Sequence, residues 1–194
     1  MVFLAGTILN TDTLIEFMNS IYILSSLLLT GWTWDTFRSI EGAFEIRTPA
    51  PMEHTVQQIT TDLGDIDFHT YYLPVEREDR GNFFFQVSFY ESEALRIPPD
   101  SLQLLADFFD ATIEQAALSV SGEVVILDEI SYQDKYPGRF WRIHYNGGRS
   151  VIKTKAYLVK DRYYSVQVAV DADFSLDGDI DRFMNSFKLL GLNN

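Results

Sequence analysis

The sequence predicts an α+β domain in which helices pack on an antiparallel sheet. Segments with apolar or aromatic residues at alternate positions recur along the chain, as expected for strands. Two other segments, 97–120 and 178–190, repeat their apolar residues at helical spacing. The strands are grouped before and after the first helical segment, and this order is typical of an antiparallel sheet covered by helices.

Composition limits the classes of function. The chain has 194 residues, of which 46% are apolar, so one domain can enclose a full core. Its net charge of −13 repels nucleic acid, so we expect no nucleic-acid partner. It contains no cysteine, which excludes disulfides, thiolate nucleophiles and zinc–thiolate sites.

The N-terminal segment 1–33 differs from the rest. Residues 21–31, IYILSSLLLTG, form an uncharged apolar run that is too short to span a bilayer but fits the core of a secretory signal. Translation could start at Met1 or Met18. We therefore predict a signal peptide or N-terminal apolar segment over 1–33, a single domain over 34–194, and export to the periplasm or the extracellular space. The alternative is a cytoplasmic protein in which this segment is a core helix.

The strand predictions follow the chain in order. Before the first helix they cover GAFEIRTP (42–49), GDIDFHTYYL (64–73) and NFFFQVSFYE (82–91). After it, EVVILDEISY precedes a three-strand antiparallel meander that begins with YPGRFWRIHY (136–145). Pro137-Gly138 is interpreted as a turn, and Asn146-Gly147-Gly148 as a tight hairpin turn.

Two helices are predicted. The first is capped by Asp100 or Ser101 and ended by Gly122, and its apolar stripe comprises Leu102, Leu105, Phe109, Ile113, Ala116 and Val120. The last element carries a second stripe, formed by Ile180, Phe183, Met184 and Phe187. Such a stripe indicates a helix that docks on the sheet.

Several sequence blocks together resemble a known family. They are WDTFRSIEGAFEIRTPAP, TTDLGDIDFHTYY, YPGRFWRIHYNGG, DRYYSVQVAV and DIDRFMNSFKLLG. Over nearly the whole chain after residue 33 they are similar to exported bacterial members of the PsbP-like superfamily, which also includes extrinsic photosystem subunits. The resemblance implies an αβα sandwich with a binding or assembly role. It brings no catalytic residues with it, because fold does not dictate function.

The acidic segment 171–181 has the spacing of a calcium loop. The oxygen-bearing residues are Asp173, Ser175, Asp177, Asp179 and Asp181, with Gly178 at the sixth place. Met184 occupies the place where a bidentate carboxylate is required. We therefore prefer the interpretation that Asp177 or Asp179 caps the last helix, and we predict no metal ion here.

A second candidate is the strand face formed by Asp65, Asp67 and His69. Same-face side chains lie about 7 Å apart along a strand, so they diverge, and a solvated polar face is the simpler interpretation. His54, His69 and His144 fall in different strands, which leaves a spatial cluster open. No catalytic motif occurs, so we predict that the protein is not an enzyme and needs no cofactor. The alternative is a metal-dependent protein or enzyme that uses a His/carboxylate cluster.

The third candidate is the basic and aromatic hairpin. Its residues are Arg139, Trp141, Arg142, Tyr145 and Arg149. Exposed, they would suit an acidic partner or the surface of a membrane complex; alternatively, helices cover the aromatics. These features together predict a monomeric, non-catalytic binding or assembly module with an unknown protein or membrane-complex partner.

Overall fold

The described part of the chain contains ten strands and two helices. The computed structural model describes residues 33–61, 64–77, 81–98 and 101–192, so the predicted signal segment, up to residue 32, lies outside it. The strands are β1 Asp35–Ser39, β2 Phe44–Thr48, β3 Glu53–Thr61, β4 Gly64–Arg77, β5 Gly81–Glu91, β6 Glu123–Tyr132, β7 Tyr136–Tyr145, β8 Ser150–Val159, β9 Arg162–Asp171 and β10 Lys188–Leu189. The helices are α1 Leu102–Ser119 and α2 Gly178–Asn185. No described helix is long and apolar enough to cross a membrane.

The strands form two antiparallel sheets. The large sheet has seven strands in the order β3-β4-β5-β9-β8-β7-β6, and the small one has the order β1-β2-β10. The predicted α+β class is therefore confirmed. The meander β7-β8-β9 is also confirmed, and β6 extends it by one strand.

The predicted turn at Pro137-Gly138 is wrong. Both residues lie inside β7, and the chain turns just before them, where Gln133 and Asp134 have positive φ values of 54° and 52°. Gly138 is needed for close approach instead, because a Cβ there would lie 2.3 Å from the carbonyl oxygen of Ala156 on β8.

One face of the large sheet is covered by α1. The helix buries Phe108, Phe109, Ile113 and Ala116 against a set of β7 and β8 side chains that includes Trp141. The predicted stripe is thus confirmed at its centre. At its start Leu102 is 72% exposed, and Ser101 is the N-cap residue but makes no capping hydrogen bond through its side chain.

The opposite face is covered by the small sheet and α2. Alternate residues of β5, from Phe83 to Phe89, point to this side and meet Phe44 of β2 and Phe183 of α2. The predicted stripe of α2 is buried. Phe187 packs with it in the core but lies beyond the end of the helix. The helix ends at Asn185, and the chain after it extends into β10, which pairs with β2. Residues 188–189 thus pair with β2 instead of adding another turn to α2.

Phe183 is fully buried and packs with its ring centroid 4.9 Å from that of Phe85. We expect Phe183→Ala to lower the free energy of unfolding by about 3–5 kcal/mol, because it leaves a cavity between α2 and the large sheet. Urea titration measures the change. Leu176→Ala, at a side chain that is 86% exposed, is the control and should change stability by less than about 0.5 kcal/mol. A loss below about 1 kcal/mol for Phe183→Ala would mean that α2 is not docked.

Candidate metal centre and partner surface

Two histidines and a glutamate meet at the β3 edge of the large sheet. His54 Nε2 and His69 Nδ1 are 3.3 Å apart, and Glu41 Oε1 lies 3.6 Å from His69 Nδ1. The three donor atoms all lie within 4.8 Å of one another. Imidazole nitrogen and carboxylate oxygen together form a donor set that suits divalent transition metals.

Strand pairing brings the two histidines together. His54 of β3 is paired with Tyr71 of β4, and His69 stands two residues before Tyr71 on the same face. The ring of His54 stacks on Tyr71 at 4.1 Å between centroids, and that of His69 stacks on Phe89 at 4.4 Å. Aromatic side chains therefore fix the plane of each imidazole.

Glu41 reaches the site from the turn between β1 and β2. Tyr164 Oη donates a hydrogen bond of 2.9 Å to the carbonyl of Gly42, and Arg162 Nη1 donates one of 3.2 Å to the carbonyl of Glu41. The backbone of Gly42 also packs closely against the core, since an added Cβ would be 2.6 Å from the ring of Phe44. The turn is thus held by residues of β9, which lies two strands from β4 in the large sheet.

The electrostatics of the cluster favour neutral imidazole at one position. Partial burial lowers the pKa of His54; the Glu41 carboxylate opposes this and His69 reinforces it. Burial also raises the pKa of Tyr71, against the hydrogen bond that Ser39 donates to it, and Glu41 raises that pKa further. Neutral imidazole is the form that coordinates a metal ion.

Of the neighbours of His69 considered in the sequence, the structure brings His54 to it but not Asp65, Asp67 or His144. Asp65 accepts a hydrogen bond of 2.7 Å from Thr60, and Asp67 is exposed. Neither belongs to the group around His69. His144 is on β7, five strands from β3, which at about 4.8 Å per strand is about 24 Å away.

The residues of the basic hairpin occupy contrasting environments. Trp141 is only 2% exposed beneath α1, and Tyr145 is partly buried beside it. Arg139 pairs with Glu129 at 2.9 Å and lies 5.2 Å from the ring centroid of Phe109. The predicted alternation along β7 is therefore confirmed.

The other two arginines of the hairpin are bound within the molecule. Arg142 Nη2 donates to Ser175 Oγ at 3.1 Å, while Arg149, at the hairpin tip, is exposed and donates to Asn146. Lys153 also donates to the Ser175 carbonyl. The basic hairpin and the acidic segment, two separate candidates in the sequence, are thus in contact with each other.

The acidic segment forms the start of α2. Asp177 is the N-cap residue, and its Oδ1 accepts a hydrogen bond of 2.8 Å from the backbone NH of Asp179. The predicted cap is confirmed, and Asp177 is the residue that provides it. Asp179 and Asp181 lie in the first turn, where carboxylates interact favourably with the helix dipole.

An apolar groove lies between α1 and β6. It has a volume of about 370 Å³ and is lined by Asp110, Ile113, Glu114, Ala117, Leu118, Gly122, Val124 and Leu127. Beside it, Val125, Ile126 and Leu127 are 42%, 38% and 49% exposed. The sequence predicted these residues to form a strand, but it did not show that β6 would be an edge strand among the described strands.

Among known proteins, similarity is found to solved structures. No family model and no curated protein matches the chain. Among solved structures, the chain is similar to the solution structure of cyanobacterial PsbP (CyanoP) from Synechocystis sp. PCC 6803. The two are 11% identical over 86% of this chain and 98% of that chain, with a TM-score of 0.46. No residue role follows from this similarity.

We expect Asp177→Ala to destabilise the protein by about 1 kcal/mol, because the backbone NH of Asp179 loses its acceptor. Thermal unfolding measures the loss. Asp173→Ala, at an exposed position of the same segment, is the control and should change stability by less than about 0.5 kcal/mol. Millimolar calcium should leave the melting temperature of both variants and of the wild type unchanged. A rise with calcium that Asp177→Ala abolishes would identify a calcium site instead.

Proposed function

We propose that the protein is a non-catalytic binding module whose β6 edge takes up an extended segment of another protein. The observation that carries this proposal is the exposed run Val125-Ile126-Leu127 beside the apolar groove. An extended segment could add a strand to β6 and place alternate side chains in the groove, a common mode of peptide recognition.

The geometry of β6 supports this mode. Among the described strands it pairs with β7 alone, so within that part of the chain its outer edge is unpaired. Its register shifts between Val124 and Ile126, which leaves Val125 as the extra residue of a bulge. Bulges and charges normally protect sheet edges. Here the charges are at Glu123, which begins the strand, and at Asp128 and Glu129 in its second half, while the segment 124–127 between them is apolar.

Charge complementarity indicates the kind of partner. The groove is lined by the carboxylates of Asp110 and Glu114 and by no basic side chain. Glu123 and Asp128 add two more exposed acids along β6. The partner segment is therefore one that alternates basic and apolar residues. A second copy of this chain is a poor partner, because two such edges would place these carboxylates against one another.

Export and the αβα arrangement belong to the same proposal. The apolar run 21–31 supports a module that acts in the periplasm or outside the cell, and helices on opposite faces of the large sheet support a PsbP-like αβα sandwich. The lack of a catalytic motif in the sequence supports a binding role. Contact of the hairpin tip with an acidic partner stays a prediction, for which Arg149 is the exposed cation.

The β6 surface can be tested with a short peptide that alternates lysine and valine. We expect it to shift the amide NMR signals of β6 and of the groove side of α1, because it supplies both the strand and the complementary charge. Ile126→Lys should weaken its affinity by about tenfold or more, since the new charge repels the peptide and removes apolar contact.

Val56→Lys is the matched control. Val56 is 49% exposed on β3, the opposite edge strand of the large sheet, so this variant should bind the peptide as the wild type does. A glutamate–valine peptide of equal length should not bind. Equal loss in both lysine variants, or shifts away from β6, would contradict the proposal.

The position of the mature N-terminus tests whether the protein is exported. We expect Edman sequencing of the protein purified from its native cells to begin near residues 31–34, because the apolar run fits a cleaved signal core. A mature chain that begins at Met1 or Met18 would favour the cytoplasmic alternative.

A further inference from the structure

We propose that Glu41, His54 and His69 bind a divalent transition-metal ion of the zinc class, with water completing the coordination. This site is at the β3 edge, whereas the partner surface is at the β6 edge, so the two proposals stand or fall separately.

The donor separations fit such an ion. Zinc bonds of about 2.0–2.1 Å place two ligands of a tetrahedral ion about 3.4 Å apart. The separations are 3.3 Å between the two histidine nitrogens and 3.6 Å between His69 and Glu41, and all three donor atoms lie within 4.8 Å of one another. An ion would replace the His54–His69 hydrogen bond, and small rotations of the exposed His54 and Glu41 side chains would direct their lone pairs toward it.

The site is also supported by its surroundings. Tyr71 and Phe89 hold the two imidazole planes, and β9 holds the turn that carries Glu41. Supporting contacts of this kind reduce the ordering that a ligand must impose. Arg162, which donates to the backbone carbonyl of Glu41, is engaged by the carboxylate of Glu91, which offsets its repulsion of an ion.

The donor types select the class of metal. Two imidazoles and one carboxylate suit zinc, copper, nickel and cobalt, whereas magnesium and calcium prefer oxygen donors alone. Three protein ligands leave a coordination position open for water, as in zinc sites that are not purely structural. Glu41 lies in the turn that joins β1 and β2 of the small sheet, and the histidines lie on the large sheet, so an ion would link the two sheets.

Isothermal titration of the full chain with zinc chloride tests the site. We expect binding of one ion per chain, with affinity lowered at least about tenfold in His54→Ala and in Glu41→Gln, because each loses one ligand. His54 and Glu41 are exposed, so both variants should fold, and circular dichroism checks this. His144→Gln and Asp65→Asn are the matched controls and should bind zinc as the wild type does.

NMR of the imidazole nitrogens identifies the ligand atoms. Zinc should shift the signals of His54 Nε2 and His69 Nδ1 and leave those of His144 unchanged. Magnesium at the same concentration should shift none of them. Absence of zinc binding, binding unaffected by His54→Ala and Glu41→Gln, or equal loss in the controls would overturn the proposal.

Discussion

The packing of Phe44 between the two sheets is the contact on which the rest of the structure depends. Phe44 is fully buried, and its ring lies 5.4 Å from Tyr71 of the large sheet and 5.7 Å from Phe187 after α2. Burial of such a side chain contributes about 1.5–3 kcal/mol. Its larger effect is positional, because it fixes the β1–β2 hairpin over β4 and so places Glu41 beside His69.

The same constraint explains why the cluster is rigid at one end and open at the other. His69 lies on β4, within the large sheet, and its side chain is only 13% exposed. His54 lies on the edge strand and Glu41 at a turn, where side chains have more freedom. The site therefore combines a largely buried donor, His69, with two exposed ones, of which His54 is also oriented by its stacking on Tyr71.

Hydrogen bonds within the molecule determine which charged side chains remain available at the surface. The basic residues that meet the segment before α2 are Arg142 and Lys153, and both donate hydrogen bonds to Ser175. Burial lowers the pKa of Lys153, so this contact is made at some cost to the charged form. Arg142 and Lys153 of the hairpin thus bind the segment that leads into α2. The acidic residues of α1 and β6 remain at the surface.

The sequence by itself determined most of the elements and the faces they bury, but not the strands β1, β3 and β10. Alternation along β7 and the stripe of α2 identified Trp141 and Phe183 as inward-facing, because side-chain period is a local property of the backbone. The cap at Asp177 was also predictable, since its acceptor and donor are two residues apart. Pro137-Gly138 misled because glycine serves a close strand approach as well as a turn.

Only the tertiary structure decided which residues meet. Glu41 and His54 are 13 residues apart and His69 is a further 15 along the chain, without a spacing typical of a metal motif. Their contact depends on the register of β3 with β4 and on where the small sheet docks. The exposure of β6 likewise depends on strand order, because a strand shows in its sequence which residues alternate but not whether a neighbour pairs with its outer edge.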